Sequence, residues 1–315
     1  MQGDMTDEEI GVLKTVCILS VLGAPPTWVE LLQSFEEPAL QHLVPRDRAS
    51  SRFDAIASAA QALVSKKKIC VFRGRFLLSS LQQELEPLFV GEEWLPRKWR
   101  KARKVASWLA HLAGVRAVFL CNRTAFGIPH DTGDLDFLVI VHHGSIWQTR
   151  GLATLPFIFL RDRPDPLVVQ RDVVCLSFFI SDQALDLAPC ALQPDDPYLR
   201  YWFLGLLPLV DDGVCQDFWD ANHTLRARHP YAKRWISSPA LSLSLPTVRI
   251  PVCSWFESCA RWVEWRYFPE SLRMQANHDT HVMISDARLK FHAEDGRESV
   301  RTRYHTLCSL YGINP

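Results

Sequence analysis

Two aspartates one residue apart, Asp134 and Asp136, open a run that is otherwise wholly apolar from residue 137 to 141. Side chains alternate along a strand with a period of two, so both carboxylates point to one side and can reach one ion. Magnesium takes hard oxygen ligands, often one or two carboxylates completed by phosphate oxygens. A pair of such ions activates an attacking hydroxyl and stabilises a leaving pyrophosphate. The bland alternative is two strand-end carboxylates facing water. The context favours the metal, because carboxylates entering an apolar run are costly without a neutralising partner. Other chemistries have less support. The eleven histidines make only loose clusters, His142-His143, His278 with His281, and His292, and none has the paired spacing of a zinc site. There is no G-x-S-x-G elbow, no G-x-x-x-x-G-K-[ST] loop and no G-x-G-x-x-G loop.

The elements that must position these aspartates read as an α/β stretch. A strand is expected over 115–120, then a loop with a short helix over 122–133. A second strand follows over 135–141, a helix over 147–160, a loop over 161–166 and a third strand over 173–180. Strand, crossover and strand imply at least one parallel pair. Before this lies a helix over 96–113 whose apolar stripe is Ala102, Val105, Leu109 and Leu112. Its first half is basic: Arg97, Lys98, Arg100, Lys101, Arg103 and Lys104. That run is either a solvated face or a patch for phosphates. Trp147 and Arg150, one helical turn apart, either flank a nucleotide or serve helix packing.

The N-terminal part gives helices over 8–22, from Thr27 onward and over 52–65, with a proline-containing connection around 45–51. A small hairpin turns at Arg73-Gly74-Arg75. Three helices and a basic hairpin (Lys66, Lys67, Lys68, Arg73, Arg75) outline a winged helix, which can contact duplex DNA through its phosphates. Beyond Asp182 the pattern is helical, over 198–207, 218–228 and 255–274, with a connector over 237–251, a short apolar piece at 282–284 and a polar final helix. Three regions follow: a winged-helix-like domain at 1–90, a catalytic core at 91–185 and a mainly helical region at 186–315.

The 315 residues carry 35 basic and 35 acidic side chains, so no global field attracts nucleic acid or an anionic membrane. Nine cysteines, an odd number with no C-x-x-C, do not read as a disulfide framework. Cys17, Cys70, Cys121 and Cys175 sit among apolar residues as buried thiols would. The acidic start shows no secretory signal, and no apolar stretch is long enough to span a bilayer. A reducing cytoplasm is therefore the expected compartment, with no membrane partner.

The segment 120–140 resembles the nucleotidyltransferase superfamily shared with DNA polymerase β. That family's signature is a Gly-Ser pair after a first strand, then about a dozen residues, then Asp-x-Asp opening a second strand. The chain is more narrowly similar to bacterial nucleotidyltransferase-domain proteins with a winged-helix-like N-terminus. Residues 144–150, 172–179, 282–286 and 289–292 carry that similarity, which spans nearly the whole chain. The resemblance implies an α+β fold with a nucleotidyltransferase-type mixed sheet. It makes Asp134 and Asp136 the magnesium-binding aspartates, and Asp172 the best match for a third carboxylate that completes the catalytic metal site. Asn122 and Arg123 stand where the family has Gly-Ser, and Gly133 where it usually has serine. All three would border the nucleoside triphosphate. Asn122 tolerates the left-handed turn that glycine would make. Arg123 either grips phosphate with its guanidinium fork or fills the pocket. The implied activity is magnesium-dependent transfer of a nucleoside monophosphate to an unidentified acceptor. Two other readings stay open: a non-catalytic protein that keeps the fold for binding or regulation, and a DNA-binding regulator.

Overall fold

A computed structural model describes residues 5–38, 49–164, 170–235, 241–292 and 295–315. Most of the connection around Pro45, the end of the 161–166 loop and part of the 237–251 connector lie outside the described residues.

The chain begins with α1 (Asp7–Val21), α2 (Trp28–Ser34) and α3 (Ala49–Ser65), followed by the hairpin β1 (Ile69–Phe72) and β2 (Arg75–Leu78). Capping boxes start the first two helices: Thr6 with Glu9, and Thr27 with Glu30. Arg73 and Gly74 both adopt positive φ, 50° and 75°, as a two-residue hairpin turn of the primed type requires. Helix α1 is apolar nearly all round, so it is buried on every side. Val12, Leu13, Val16, Cys17 and Ile18 pack with Ile56 and Leu63 of α3, and also with Tyr201, Tyr304 and Leu307 from far down the chain.

A single turn, α4 (Gln82–Leu85), leads into the long α5 (Gly91–Ala110). Then come β3 (Val115–Leu120), α6 (Asn122–Ala125), β4 (Leu135–Val141), α7 (Ile146–Phe159) and β5 (Val174–Ser181). The rest comprises α8 (Pro197–Leu204), β6 (Leu207–Asp211), α9 (Val214–Ala221), α10 (His223–Arg226), α11 (Glu257–Tyr267), α12 (Glu270–Gln275), β7 (Val282–Ile284), β8 (Arg288–Phe291) and α13 (Arg297–Leu310).

The fold is α+β around one mixed six-stranded sheet, ordered β6-β3-β4-β5-β8-β7. Strands β4 and β5 are parallel, joined by the α7 crossover, and every other pairing is antiparallel. Side chains of one parity, Val118, Leu120, Val139 and Val141, pack against Ala102, Val105 and Leu109 of α5 and Trp147 and Ala153 of α7. The other parity, Ala117, Phe119, Leu138 and Ile140, packs against Phe203 of α8 and Phe218 and Trp219 of α9. By that alternation Asp134 and Asp136 belong to the α8 side.

The 186–315 segment is mainly helical in its described residues but also supplies β6, β7 and β8 to the sheet, which the sequence reading did not anticipate. The helix read over 198–207 stops at Gly205 because Pro208 follows, and the apolar 207–211 stretch pairs with β3 instead. Proline is tolerated there because β6 ends the sheet order. The helix read over 255–274 breaks at Phe268, whose ψ of 137° is extended, as expected of a residue preceding a proline, here Pro269. All nine cysteines are free. Among the described residues no helix is long and apolar enough to cross a membrane.

Candidate active site

The aspartates stand where β3 ends and β4 begins. Backbone pairing fixes them on both flanks: the Asp136 carbonyl accepts from Cys121 N at 2.9 Å, and Leu135 N donates to the Val173 carbonyl at 2.8 Å. A buried lysine anchors the turn before them. Lys98, on α5, donates to the Gly133 carbonyl and pairs with Asp172 at 2.6 Å, its side chain wholly enclosed. Sequence reading gave this lysine no separate role, although it continues the apolar stripe of Ala102, Val105 and Leu109 one turn earlier.

Asn122 adopts φ of 57°, the left-handed turn expected of it. Its amide bridges two groups: Nδ2 donates to Asp136 Oδ2 at 2.8 Å, and Oδ1 accepts from the Tyr198 hydroxyl at 3.0 Å. Arg123 turns away from the aspartates. Its guanidinium donates to the Ile128 carbonyl at 3.2 Å and to His130 Nε2 at 2.5 Å, and approaches the Gly23 carbonyl at 3.5 Å. Burial, with Arg123 and Lys98 nearby, lowers the His130 pKa.

Asp172 does not join the pair. It is buried at φ of 58°, held by Arg97 at 2.7 and 3.1 Å as well as by Lys98. Burial alone would raise its pKa, but Arg97 and Lys98 outweigh that and hold the carboxyl below its ordinary value. The carboxylate expected to complete the site is thus found paired with two cations of α5. The residue registered against Asp136 is Cys175, and Ser177 lies beyond it at a register shift. Ser177 Oγ lies 3.2 Å from Cys175 Sγ and 3.0 Å from His292 Nε2. The basic run of α5 is likewise spent in part on struts, with Lys101 paired to Asp162 at 2.7 Å. Trp147 is a packing residue, its Nε1 donating to Asp286 at 2.7 Å, and Arg150 is tied to Glu264.

Two cavities meet at the aspartates. The larger, about 530 Å³, is lined by Cys175, Ser177, Phe178, Phe291, His292 and the Lys290/Asp295/Arg297 group, and Asp172 is not among its lining residues. The smaller, about 330 Å³, is lined by Val21 and Leu22 at the end of α1, by Arg123, His130 and Gly133. Asn122, Asp134, Asp136, Tyr198, Trp202 and Val300 border both. On the far wall Lys290 pairs with Asp295 at 3.2 Å, and Arg297 with Asp196 at 2.9 Å and Asp295 at 2.7 Å, so that wall is neutralised internally.

The aspartates are not neutralised in this way. Neither has an ion-pair partner among the described residues, and both remain partly accessible through the cavities. Burial and then the like charge of Asp136 raise the Asp134 pKa, with Lys98 as a partial offset. Burial raises that of Asp136, offset by hydrogen bonds from Asn122 and Cys175 and by Lys98. Two such carboxylates suit a cation. Among the described residues no three His, Cys, Asp or Glu side chains form a complete ligand set, so the rest of the shell would be water or ligand oxygen, as magnesium commonly accepts.

Tyr198, Trp202, His292 and Arg297 reach the site only through the topology, and sequence spacing could not assemble them. Only His292 fell within a segment singled out beforehand. Comparison with protein-family models, with curated proteins and with solved structures finds no match to this chain.

Proposed function

We propose that this protein is a magnesium-dependent nucleotidyltransferase. It moves a nucleoside monophosphate from a nucleoside triphosphate to an acceptor hydroxyl: the hydroxyl gives up its proton to solvent, its oxygen bonds to the α-phosphorus, the bond to the β-phosphate breaks, and pyrophosphate leaves. The observation that carries this reading is the unneutralised pair Asp134 and Asp136 at the junction of two cavities. Magnesium bound there would neutralise the pair and the polyphosphate together. The protein's own part is positioning, which is where catalysis of phosphoryl transfer chiefly lies. Lys98 and the flanking strand bonds hold the Asp134 turn, and the Tyr198–Asn122 bridge orients Asp136. The 530 Å³ cavity falls within the usual size range of small-molecule sites and offers Trp202, Phe178 and Phe291 to a base. The 330 Å³ cavity, across the aspartates, then receives the acceptor, so Arg123 and Gly133, expected beside the triphosphate, would line the acceptor side instead. An ordered mixed sheet, with an antiparallel strand pair before the aspartates and a parallel strand after them, is compatible with the family resemblance.

A second reading has specific support. Cys175 and Ser177 stand on β5 where a third carboxylate would serve, and Arg123 replaces serine in the first turn. Both favour a protein that binds nucleotide and metal without turning them over. DNA contact through the N-terminal segment has less support. The exposed face of α3 offers Phe53, Asp54, Ala57, Ser58 and Gln61, with no cation. Lys66 pairs with Glu9 at 2.5 Å, and Arg75 with Glu30 at 2.9 Å.

Calorimetric titration with each of the four ribonucleoside triphosphates and magnesium tests the first reading, with Asp134→Ala alongside. Magnesium-dependent binding that the variant loses is expected, and no binding to any of the four would overturn both readings. Pyrophosphate release across an acceptor panel then separates turnover from binding alone.

A further inference from the structure

The smaller cavity holds a positive charge that no neighbouring side chain balances. Its charged lining residues are Asp134, Asp136 and Arg123, with His130 beside Arg123. The Arg123 side chain is half-buried. Its contacts are the Ile128 carbonyl at 3.2 Å, His130 Nε2 at 2.5 Å and the Gly23 carbonyl at 3.5 Å, and none of these carries a negative charge. Burial lowers its pKa, with no acid to offset the shift. Asp131, next to His130 in the chain, is taken by Arg97 at 2.8 Å and Arg171 at 2.9 Å. Buried cations elsewhere in the fold do face carboxylates: Lys98 faces Asp172, Arg150 faces Glu264 and Arg297 faces Asp196.

Taking a cation out of water is costly unless an anion accompanies it. The Ile128 and Gly23 carbonyls need donors, not a charge, and a neutral amide would supply donors without that cost. The guanidinium also has capacity to spare. Three of its roughly five N–H donors are committed, and the rest form a planar fork that matches the oxygens of a carboxylate or a phosphate. Magnesium at Asp134 and Asp136 would cancel their two charges and leave that of Arg123 uncompensated. Val21, Leu22, Phe126 and Val300 make the remaining wall largely apolar, and a volume of about 330 Å³ lies at the small end of ligand sites. Such a space suits a small molecule.

We infer that the acceptor is a small hydroxylated molecule carrying an oxyanion, a phosphate monoester or a carboxylate, which pairs with Arg123. This rests on the nucleotidyltransferase reading and gives that reading its acceptor class. Calorimetric titration of the full chain tests it, with magnesium and saturating α,β-methylene analogues of the four ribonucleoside triphosphates. The probes share one carbon skeleton: glycerol 3-phosphate, glycerate and glycerol. At least one of the two anions binds and glycerol does not, and the tighter anion identifies the group. Arg123→Met weakens that anion about tenfold or more, as loss of a charge-assisted pair predicts, while its triphosphate affinity stays within about twofold of wild type and shows it to be folded. If Arg123→Met does not fold, Arg123→Lys carries the test: it keeps the charge without the fork and weakens the anion several-fold. A wild type that holds a triphosphate analogue but neither anion overturns the inference and leaves the nucleotidyltransferase reading standing. A wild type that holds no analogue overturns that reading first, and the acceptor class with it. An anion bound equally well by the variant, or a tenfold loss of triphosphate in Arg123→Met, overturns the inference alone.

Discussion

If Asp134 and Asp136 are held together for a cation, removing one charge should stabilise the protein when no cation is present. Side chains two residues apart on a strand are about 6.5 Å apart. At an effective dielectric near 20 their repulsion is about 2.5 kcal/mol, and screening through the open cavities reduces it to about 1 kcal/mol. Asp134 is the better probe because no hydrogen bond among the described residues is spent on its carboxylate, whereas Asp136 accepts from Asn122. In EDTA at pH 7, Asp134→Asn should melt about 2 °C above the wild type. The sign follows from the raised folded-state pKa. Below the unfolded value of about 4 the carboxyl is protonated in both states and carries no penalty. As pH rises through the folded value the penalty becomes complete. The advantage of the variant should therefore vanish in acid. Magnesium should reverse the order: at ten times its dissociation constant it adds about 1.4 kcal/mol to the wild type and little to the variant. Asp172→Asn is the contrast. It leaves buried Lys98 without its carboxylate, and should cost about 3 kcal/mol with or without magnesium. Differential scanning fluorimetry across pH and magnesium reads all three proteins. An Asp134→Asn protein less stable than wild type in EDTA, or one gaining equally from magnesium, would refute the reasoning.

Glu36 is fully buried among Arg228 at 3.3 Å, Arg200 at 3.6 Å and Lys14 at 3.8 Å. Glu36→Gln should cost about 3 kcal/mol at pH 7. Burial pushes the Glu36 pKa up, but Arg200, His229, Lys14 and Arg228 outweigh it and the net shift is downward. Its stabilisation is thus present above about 4.3 and lost as pH falls through the folded value, so the variant's melting temperature should fall less steeply in acid than that of the wild type. Asn122→Gly keeps the positive φ and removes the amide, so manganese affinity, read by electron paramagnetic resonance, should weaken several-fold with about 1 kcal/mol of stability lost; unchanged affinity would deny the amide an orienting role. Arg123→Met should cost about 1–2 kcal/mol through its lost carbonyl contacts, while triphosphate affinity measured calorimetrically stays within twofold; a tenfold loss would mean the guanidinium swings to phosphate.

The parts legible in the sequence were those that local rules determine. Thr27 begins a helix because its hydroxyl caps it, and β4 is a strand because its apolar run lies between turns. The parallel β4–β5 pair follows from the crossover between them. Failures came where a distant residue decides. Asp172 flanks its strand as a third carboxylate might, yet Arg97 and Lys98 on α5 claim it. Strand β6 went unread because its partner β3 lies far back in the sequence. Lys98 was the avoidable omission. It fell in a basic run, but its helical phase is that of Ala102, Val105 and Leu109, and a lysine on an apolar stripe is buried only with partners.

The same long-range contacts bear on whether the N-terminal segment is a separable module. Val12, Leu13 and Val16 of α1 lie in one cluster with Tyr201 of α8 and Tyr304, Leu307 and Cys308 of α13. Glu36, just after α2, is neutralised by Arg200 and Arg228 from the C-terminal half. Cutting the chain near residue 90 would expose that apolar helix and strip a buried carboxylate of two of its cations, each a change of several kcal/mol. The end of α1 also supplies Val21 and Leu22 to the smaller cavity, while Arg123 reaches back toward Gly23. The segment is thus a wall of the site whose chemistry sits on β4. A substitution at Gly23 (φ of 65°), where an added Cβ would approach the Arg123 guanidinium at 3.1 Å, would press on the acceptor side of the proposed site without touching either aspartate.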